Sequence, residues 1–344
     1  MRKEVIWATV IGISFGLIIA FGVWRINSSF NSKDSNPDKT PAPQNNSSEL
    51  KITLDKPQND DVVTNTPITV SGITRPVTWV TVSGEKGDYT LQSGPDGVFA
   101  QDVELTAGVN QIKITVFDTR GGQSVEEVLV VYSSGFVLKT VATPGASDAS
   151  SDSAIRARVQ EKVAQAMNKP KAYIGTVTDI SDSTIQIKTT GSLPAQAGEI
   201  RQVSTNTTDV SVVNAKGTAN KAVKLTDVAI GDFIVAMGYV DSNTVLAAQR
   251  ILISDPVTDS KVNASAGKAS SITKKSISVV PLKGGNPSDL TPDKNTVVYR
   301  FDGQKTSKIK FADIAIDDTL IFVSSQGSTS QTVRSVFVVA SVQS

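Results

Sequence analysis

From residue 49 onward, apolar and polar residues alternate in short runs broken by Gly, Pro, Asn and Asp, the period-two pattern of strands that turn one face to a core. Between Glu49 and Tyr132 the runs are LKITL, PITVSG, VTWVTVSG, DYTLQ, GVFAQDVEL, GVNQIKITVFD and SVEEVLVVY. About seven short strands within roughly 80 residues predict a two-sheet β-sandwich. Gly97 and the Gly108-Val109-Asn110 segment supply turns that need positive φ or an Asn side-chain bond. The alternation leaves two registers open for Trp79. If Val80 and Val82 face inward, the indole faces outward, where it could stack on a sugar ring; in the other register it is core.

A different period follows. In SAIRARVQEKVAQAMNKP, Ile155, Val159, Val163 and Ala166 or Met167 recur at spacings of three and four. That spacing predicts an amphipathic helix over 153–169, capped by Asp152 or Ser153 and closed by Pro170. Its apolar stripe fits a lid on the domain that follows or a short coiled-coil contact between protomers.

Beyond the helix the strand pattern returns twice. GTVTDISDSTIQIKT from Gly175 has the layout of GKASSITKKSISVVP from Gly267, with Ile180 and Ile185 matching Ile272 and Ile277. VKLTDVAIGDFIV (223–235) aligns with IKFADIAIDDTLI (309–321), sharing Lys, Asp, Ala, Ile and Asp. The chain therefore contains two diverged copies of one small β domain, at 171–254 and 262–344. Each predicts a curved antiparallel sheet of five or six strands able to close into a small barrel like an oligonucleotide- or oligosaccharide-binding (OB) fold. Gly231 allows a tight reversal, and Asp317, which replaces it in the second copy, tolerates the same left-handed conformation.

The N-terminus has a third pattern. Arg2 and Lys3 precede an uncharged run from Val5 to Trp24. At 1.5 Å per residue it reaches about 30 Å, the hydrocarbon thickness of a bilayer. It predicts a cytoplasmic stub and transmembrane anchor over 1–26, with Trp7 and Trp24 near the interfaces and the N-terminus inside. A cleaved secretory signal ending near Ala20–Gly22 is the alternative. Either way the expected location is extracytoplasmic, and the anchor reading makes this a single-pass protein of the cell membrane with its C-terminal domains outside. Residues 27–48 and 133–152, poor in apolar side chains, predict linkers, the first a disordered tether. Asn27, Asn45 and Asn46 match a glycosylation pattern at a rate expected by chance in so Asn/Ser-rich a stretch.

Composition narrows the chemistry. The chain has no Cys and no His, which excludes thiol nucleophiles, Ser/His/Asp triads and the usual structural zinc sites. With 34 basic and 33 acidic residues it lacks the field that steers a protein onto nucleic acid. The charges are unevenly placed, though. Residues 49–132 carry six basic and 12 acidic side chains, 171–254 seven and seven, and 261–344 11 and six. The last module is therefore positive, and Lys274, Lys275, Lys305 and Lys308 could attract an anionic wall polymer or nucleic acid. Stacking of bases would need aromatics beside that charge, for which Tyr299, Phe301 and Phe311 are the candidates.

Two resemblances rest on quoted residues. ITVSGIT, VTVSG and above all DGVFAQDVELTAGVNQIKITVFD (Asp96–Asp118) resemble the bacterial immunoglobulin-like domains of surface proteins, including the accessory (glucodextranase-B-like) sandwich of glucan-acting enzymes. AYIGTVTDISDSTIQIKT, LTDVAIGDFIVAMG and VLAAQRILI resemble a bacterial family of small exported β domains of unknown function. The first resemblance implies spacing and adhesion, and the second brings no active site. The predicted fold class is thus mostly β: an N-terminal transmembrane helix, an immunoglobulin-like sandwich over 49–132, a short amphipathic helix and two tandem small antiparallel β-barrel (OB-like) domains.

Candidate reactive motifs are weak. Ser83–Lys86 and Ser271–Lys274 fit Ser-x-x-Lys but lie in strand-turn contexts. Asp60-Asp61 and Asp317-Asp318 are neighbours in turns, whose side chains diverge. SGPDG (93–97) lacks the repeated oxygen donors of a calcium loop. The expectation is a non-catalytic membrane-anchored surface, display or adhesion protein, with no catalytic, cofactor or metal residues. The membrane is one expected partner and a cell-wall glycan or anionic polymer another, with nucleic acid disfavoured. Carboxylate-only action on glycans is the last alternative.

Overall fold

The structure is a computed structural model that describes residues 50–138, 169–190, 198–206, 209–217, 220–258, 261–326 and 331–339. Residues 50–344 form one compact unit. The first eight strands are β1 (Thr53–Lys56), β2 (Asp61–Val63), β3 (Ile68–Ile73), β4 (Trp79–Ser83), β5 (Asp88–Gln92), β6 (Val98–Val103), β7 (Gly108–Phe117) and β8 (Gln123–Tyr132). Strands β1, β3 and β6 make one sheet, and β2, β8, β7, β4 and β5 pair in that order in another. Val70, Phe99 and Val103 from the first meet Val80, Val82, Ile112, Ile114, Val116, Val128 and Val130 from the second, so the two sheets are the halves of a sandwich. At the β7 entry, Gly108 has φ 95° and the buried Asn110 accepts from Thr106 N at 2.7 Å and donates to Thr106 O at 2.7 Å.

The first copy supplies β9 (Lys171–Ser181), β10 (Thr184–Thr189), β11 (Ile200–Ser204), β12 (Ser211–Asn214), β13 (Lys221–Val223), β14 (Phe233–Val240) and β15 (Leu246–Ser254). The second supplies β16 (Val262–Ile272), β17 (Ile277–Pro281), β18 (Ser288–Phe301), β19 (Thr306–Ile309), β20 (Thr319–Gln326) and β21 (Gln331–Val339). Strand β18 does the work of β11 and β12 together: they run parallel to β15, and it runs parallel to β21 in two segments. The internal repeat extends to details of turn chemistry. Lys224 N donates to Asp227 Oδ2 at 2.8 Å, and Lys310 N to Asp313 Oδ2 at 2.9 Å. Gly231 has φ 93° and Asp317 φ 69°, the left-handed position that the alignment requires.

What the alternation did not show is that several strands bury both faces. In β14, Ile234 and Ala236 enter the first copy's own core, while Phe233, Val235, Met237 and Tyr239 point the other way. They meet Leu129, Val131, Val62 and Phe136 from the outer face of the sandwich. The second copy repeats the device. Leu320, Phe322, Val336 and Val338 fill its own core, whereas Ile321, Val323 and Phe337 pack on Phe117 and Trp79. Each copy is thereby fixed to the same outer sheet by a second apolar layer. A strand with two buried faces needs an unbroken apolar run, and FIVAMGYV and LIFV are such runs.

These observations correct the predicted fold class. The described chain is mostly β with no α-helix; its two helical segments, Leu225–Asp227 and Phe311–Asp313, are single 3-10 turns. It is not a row of separate antiparallel OB-like barrels. The sandwich sheet continues into the first copy through the Asp61–Lys171 bridge between β2 and β9, and the copies mix parallel with antiparallel pairs. Among the described residues no helix is long and apolar enough to cross a membrane. The anchor expected at 1–26, the linkers at 27–48 and most of 133–152, and all but Lys169 of the helix at 153–169 lie outside the described residues. The single-pass cell-membrane location and the membrane as a partner are therefore corrected: the described residues contain no membrane-crossing helix to support them.

Candidate functional site

Where the sandwich meets the first copy, the turn before β2 is bent by Asp60, with φ 64°. Its backbone serves as a pivot: Asp60 N donates to Leu129 O at 2.8 Å, and Asp60 O accepts from Ala172 N at 2.8 Å. The turn therefore holds β8 on one side and β9 on the other. Beside it opens a cleft of about 280 Å³, lined by Asn59, Asp60, Lys171, Tyr173, Thr189, Thr190, Glu199, Arg201 and Thr244 together with Ala172, Ile174 and Val240. It draws on the pivot turn, β9, the end of β10, the start of β11, and the end of β14 with the turn that follows it.

Both cations of the cleft already have partners. Lys171 Nζ donates to Asp61 Oδ1 at 2.7 Å and to Asn59 O at 3.0 Å. Arg201 donates from Nη2 and Nε to Glu199 Oε2, at 2.7 and 3.0 Å. Its guanidinium carbon also lies 5.4 Å from the centre of the Tyr173 ring, within cation–π range. The Tyr173 hydroxyl donates to Thr244 O at 2.7 Å and so anchors the ring against the β14–β15 turn.

Asp60 is different. Among the described residues its carboxyl has no ion pair within 4.0 Å, and burial pushes its pKa up to about 6, against the opposing pull of Lys171, Arg201 and an Asn59 hydrogen bond. Burial likewise raises Tyr173, although Arg201 opposes it. For Arg201 burial acts downward, but the hydrogen bonds to Glu199 and Tyr173 outweigh it and leave the group above its ordinary value. The cleft offers acceptors, donors and hydroxyls in balanced charge, with one carboxyl poised near neutrality and the other, Glu199, committed to Arg201.

The residues singled out in the sequence do not gather here, Asp60 and Asp61 excepted. Those two have separate partners, Asp60 lining the cleft and Asp61 holding Lys171. Trp79 does face away from the sandwich core, but its indole is not free. It packs edge-on to Phe301 with ring centres 5.4 Å apart, and against Phe337 at 5.3 Å. Tyr299 and Phe301 pack in that same layer and Phe311 on the second copy's own core, so none of the three is an open stacking platform. Ser83 is buried while Lys86 reaches Glu104 at 3.7 Å, and Ser271 and Lys274 are both exposed, the first near the end of β16 and the second in the bend that follows it. Asp96 Oδ1 accepts from Val98 N at 3.1 Å as part of the turn, and no group of three or more metal-ligating side chains occurs among the described residues. Asp318 Oδ2 accepts from Arg300 Nη2 at 2.9 Å and from Ala315 N at 2.8 Å, a structural role. Lys274, Lys275, Lys305 and Lys308 are all exposed. Sequence reasoning missed Tyr173, Glu199 and Arg201, because a site built at a junction has no spacing of its own along the chain.

No protein-family model matches the chain, and no curated protein matches it at a significant level. Among solved structures, it is similar to the mixed-linkage glucan utilization locus protein SGBP-B of Bacteroides ovatus, seen in complex with a mixed-linkage heptasaccharide, at 14% identity and a TM-score of 0.20 over 85% of this chain and 70% of that one. It is similar also to a 1.5-MDa bacterial ice-binding adhesin, at 13% identity and a TM-score of 0.18 over 85% of this chain and 97% of that one. Scores this low carry no argument about shared fold or function.

Proposed function

We propose that the chain is a non-catalytic β protein with a structural, surface-display or adhesion role. The observation that carries this reading is the doubly covered outer sheet: Leu129 and Val131 hold one copy, Trp79 and Phe117 the other. Modules that only shared a linker would swivel independently. Modules joined through apolar layers hold a fixed geometry, as a display or adhesive element requires. The resemblance of Asp96–Asp118 to immunoglobulin-like domains of bacterial surface proteins points the same way.

The test is retention of the purified full chain on a panel of insoluble cell-surface polysaccharides, with the supernatant analysed for released products. Retention without product release is the expected result. Release of sugar, or failure to be retained on any surface polymer, overturns the reading.

A second reading is favoured by one observation. Lys274, Lys275, Lys305 and Lys308 are exposed, and none takes part in an ion pair among the described residues. They give the second copy a positive surface suited to an anionic wall polymer. Retention that disappears with added salt and with replacement of these four lysines by Ala supports it; retention indifferent to salt removes it.

A further inference from the structure

We propose that the cleft at the junction of the sandwich and the first copy is a binding site for a neutral, hydroxyl-rich ligand, one or two rings of a saccharide chain. The assignment rests on the adhesion reading, since it names what the adhesive protein would grip.

Three features of the cleft select this ligand class. The first is charge. Lys171 and Glu199 line the wall with Arg201 and Asp60, two cations and two anions, and both cations are already neutralised by Asp61 and Glu199 at 2.7 Å. An anionic ligand would have to displace those partners while facing Asp60, so it gains little. The second is hydrogen-bonding character. Asp60 brings acceptor oxygens, Arg201 the guanidinium N–H groups that Glu199 does not hold, and Thr190 a hydroxyl. Adjacent sugar hydroxyls each donate and accept, and they match a wall in which donors and acceptors alternate. Bonds to ionised groups are also about twice as strong as neutral ones. The third is size. At about 280 Å³ the cleft is at the small end of small-molecule sites, which run from about 300 to 1,000 Å³, so it suits part of a polymer more than a large cofactor.

Asp60 needs an explanation that the fold does not supply. The pivot uses only its backbone and its tolerance of φ 64°, which Asn or Gly would provide equally well. A carboxyl in that place is held in a half-buried position where its charge is disfavoured, as the rise to about 6 records. Such a group beside a cleft is a candidate for ligand recognition.

The experiment is isothermal titration of the full chain at pH 7.5 with cellohexaose and maltohexaose as neutral probes, and hexagalacturonate and inorganic phosphate as anionic ones. We expect binding of a neutral oligosaccharide, weakened at least tenfold in Asp60→Asn and in Arg201→Gln, with thermal melts showing that each variant is folded. Should Arg201→Gln not fold, Asp60→Asn decides alone, because Asn keeps both size and backbone conformation. Binding of anionic probes only, binding of none, or neutral binding unchanged in Asp60→Asn overturns the assignment. Polysaccharide retention measured on the same variants separates the two ideas. Retention that survives when oligosaccharide binding is absent or insensitive to the cleft defeats the cleft and leaves the adhesion reading; product release defeats the adhesion reading and leaves the cleft.

Discussion

Replacing Trp79 with Ala removes the largest side chain that the sandwich sends into the second copy. The indole contacts Phe301 and Phe337 at 5.4 and 5.3 Å between ring centres, at interplanar angles of 78° and 55°. Each aromatic pair contributes about 0.5–1.5 kcal/mol beyond its buried area, so the two together are worth about 1–3 kcal/mol. Truncating a packed Trp costs about 3–5 kcal/mol in all, and because Trp79 is half-buried the lower end, about 3 kcal/mol, is expected. That cost should fall on docking alone. Val80 and Val82 remain in the sandwich core, and Leu320, Phe322, Val336 and Val338 in the second copy's core, so both modules keep what folds them. Differential scanning calorimetry of the full chain should then show the second copy separating as a transition several degrees below the rest. Trp79→Phe, which keeps a ring in the layer, should restore part of the coupling. A loss below about 1 kcal/mol with no new transition, against the 3–5 expected for a packed Trp, refutes the shared-layer argument.

Asp88, only 3% exposed in its side chain, faces Arg334 of the second copy at 3.3 Å, and burial raises its pKa although Arg334 opposes it. Its folded pKa exceeds its unfolded one, so the charged form is penalised and stability falls as pH rises through the raised value. Arg334→Ala should therefore cost about 3 kcal/mol near pH 7 and much less near pH 4, measured by chemical denaturation at both. At the cleft, Asp60 lies at about 6 instead of 3.8, which corresponds to at most about 3 kcal/mol of stability lost as pH rises from 4 to 7. Asp60→Asn should remove that slope and stabilise the protein above pH 6 while weakening oligosaccharide binding; an unchanged slope refutes the assignment. Lys171, Arg201 and Asp61 are the charged side chains that face Asp60, and Tyr173, raised by burial, titrates far above this window. In the repeat, a Cβ at Gly175 would stand 2.2 Å from Lys188 O, so Gly175→Ala should cost about 1–3 kcal/mol in a melt. Gly231→Asp should cost only about 1 kcal/mol: a side chain is strained at φ 93°, but Asp317 holds a similar left-handed position in the second copy.

The repeat and the sandwich strands were legible because both are local. The capping pairs Lys224–Asp227 and Lys310–Asp313, and the turn positions Gly231 and Asp317, recur at matching places because each copy must make the same reversals. Trp79 marks where legibility stops. Period two, with Val80 and Val82 in the core, places its side chain outside the sandwich, but it says nothing of what lies outside. The cover comes from Phe301 and Phe337, more than 200 residues later in the chain. A signal was nevertheless present. VLVVY, FIVAMGYV and LIFV are apolar at consecutive positions, and a half-solvated strand cannot afford that; read as strands buried on both faces, they imply that the modules are docked. The cleft had no comparable signal. Asp60, Tyr173, Glu199 and Arg201 are contributed by three separate segments whose meeting depends on the backbone of Asp60 joining β8 to β9. A site of this kind exists only if the modules are held together. Rigid docking and ligand recognition are therefore one property: a substitution that lets the first copy swing away from Leu129 and Val131 should abolish binding at the cleft without touching any residue that lines it.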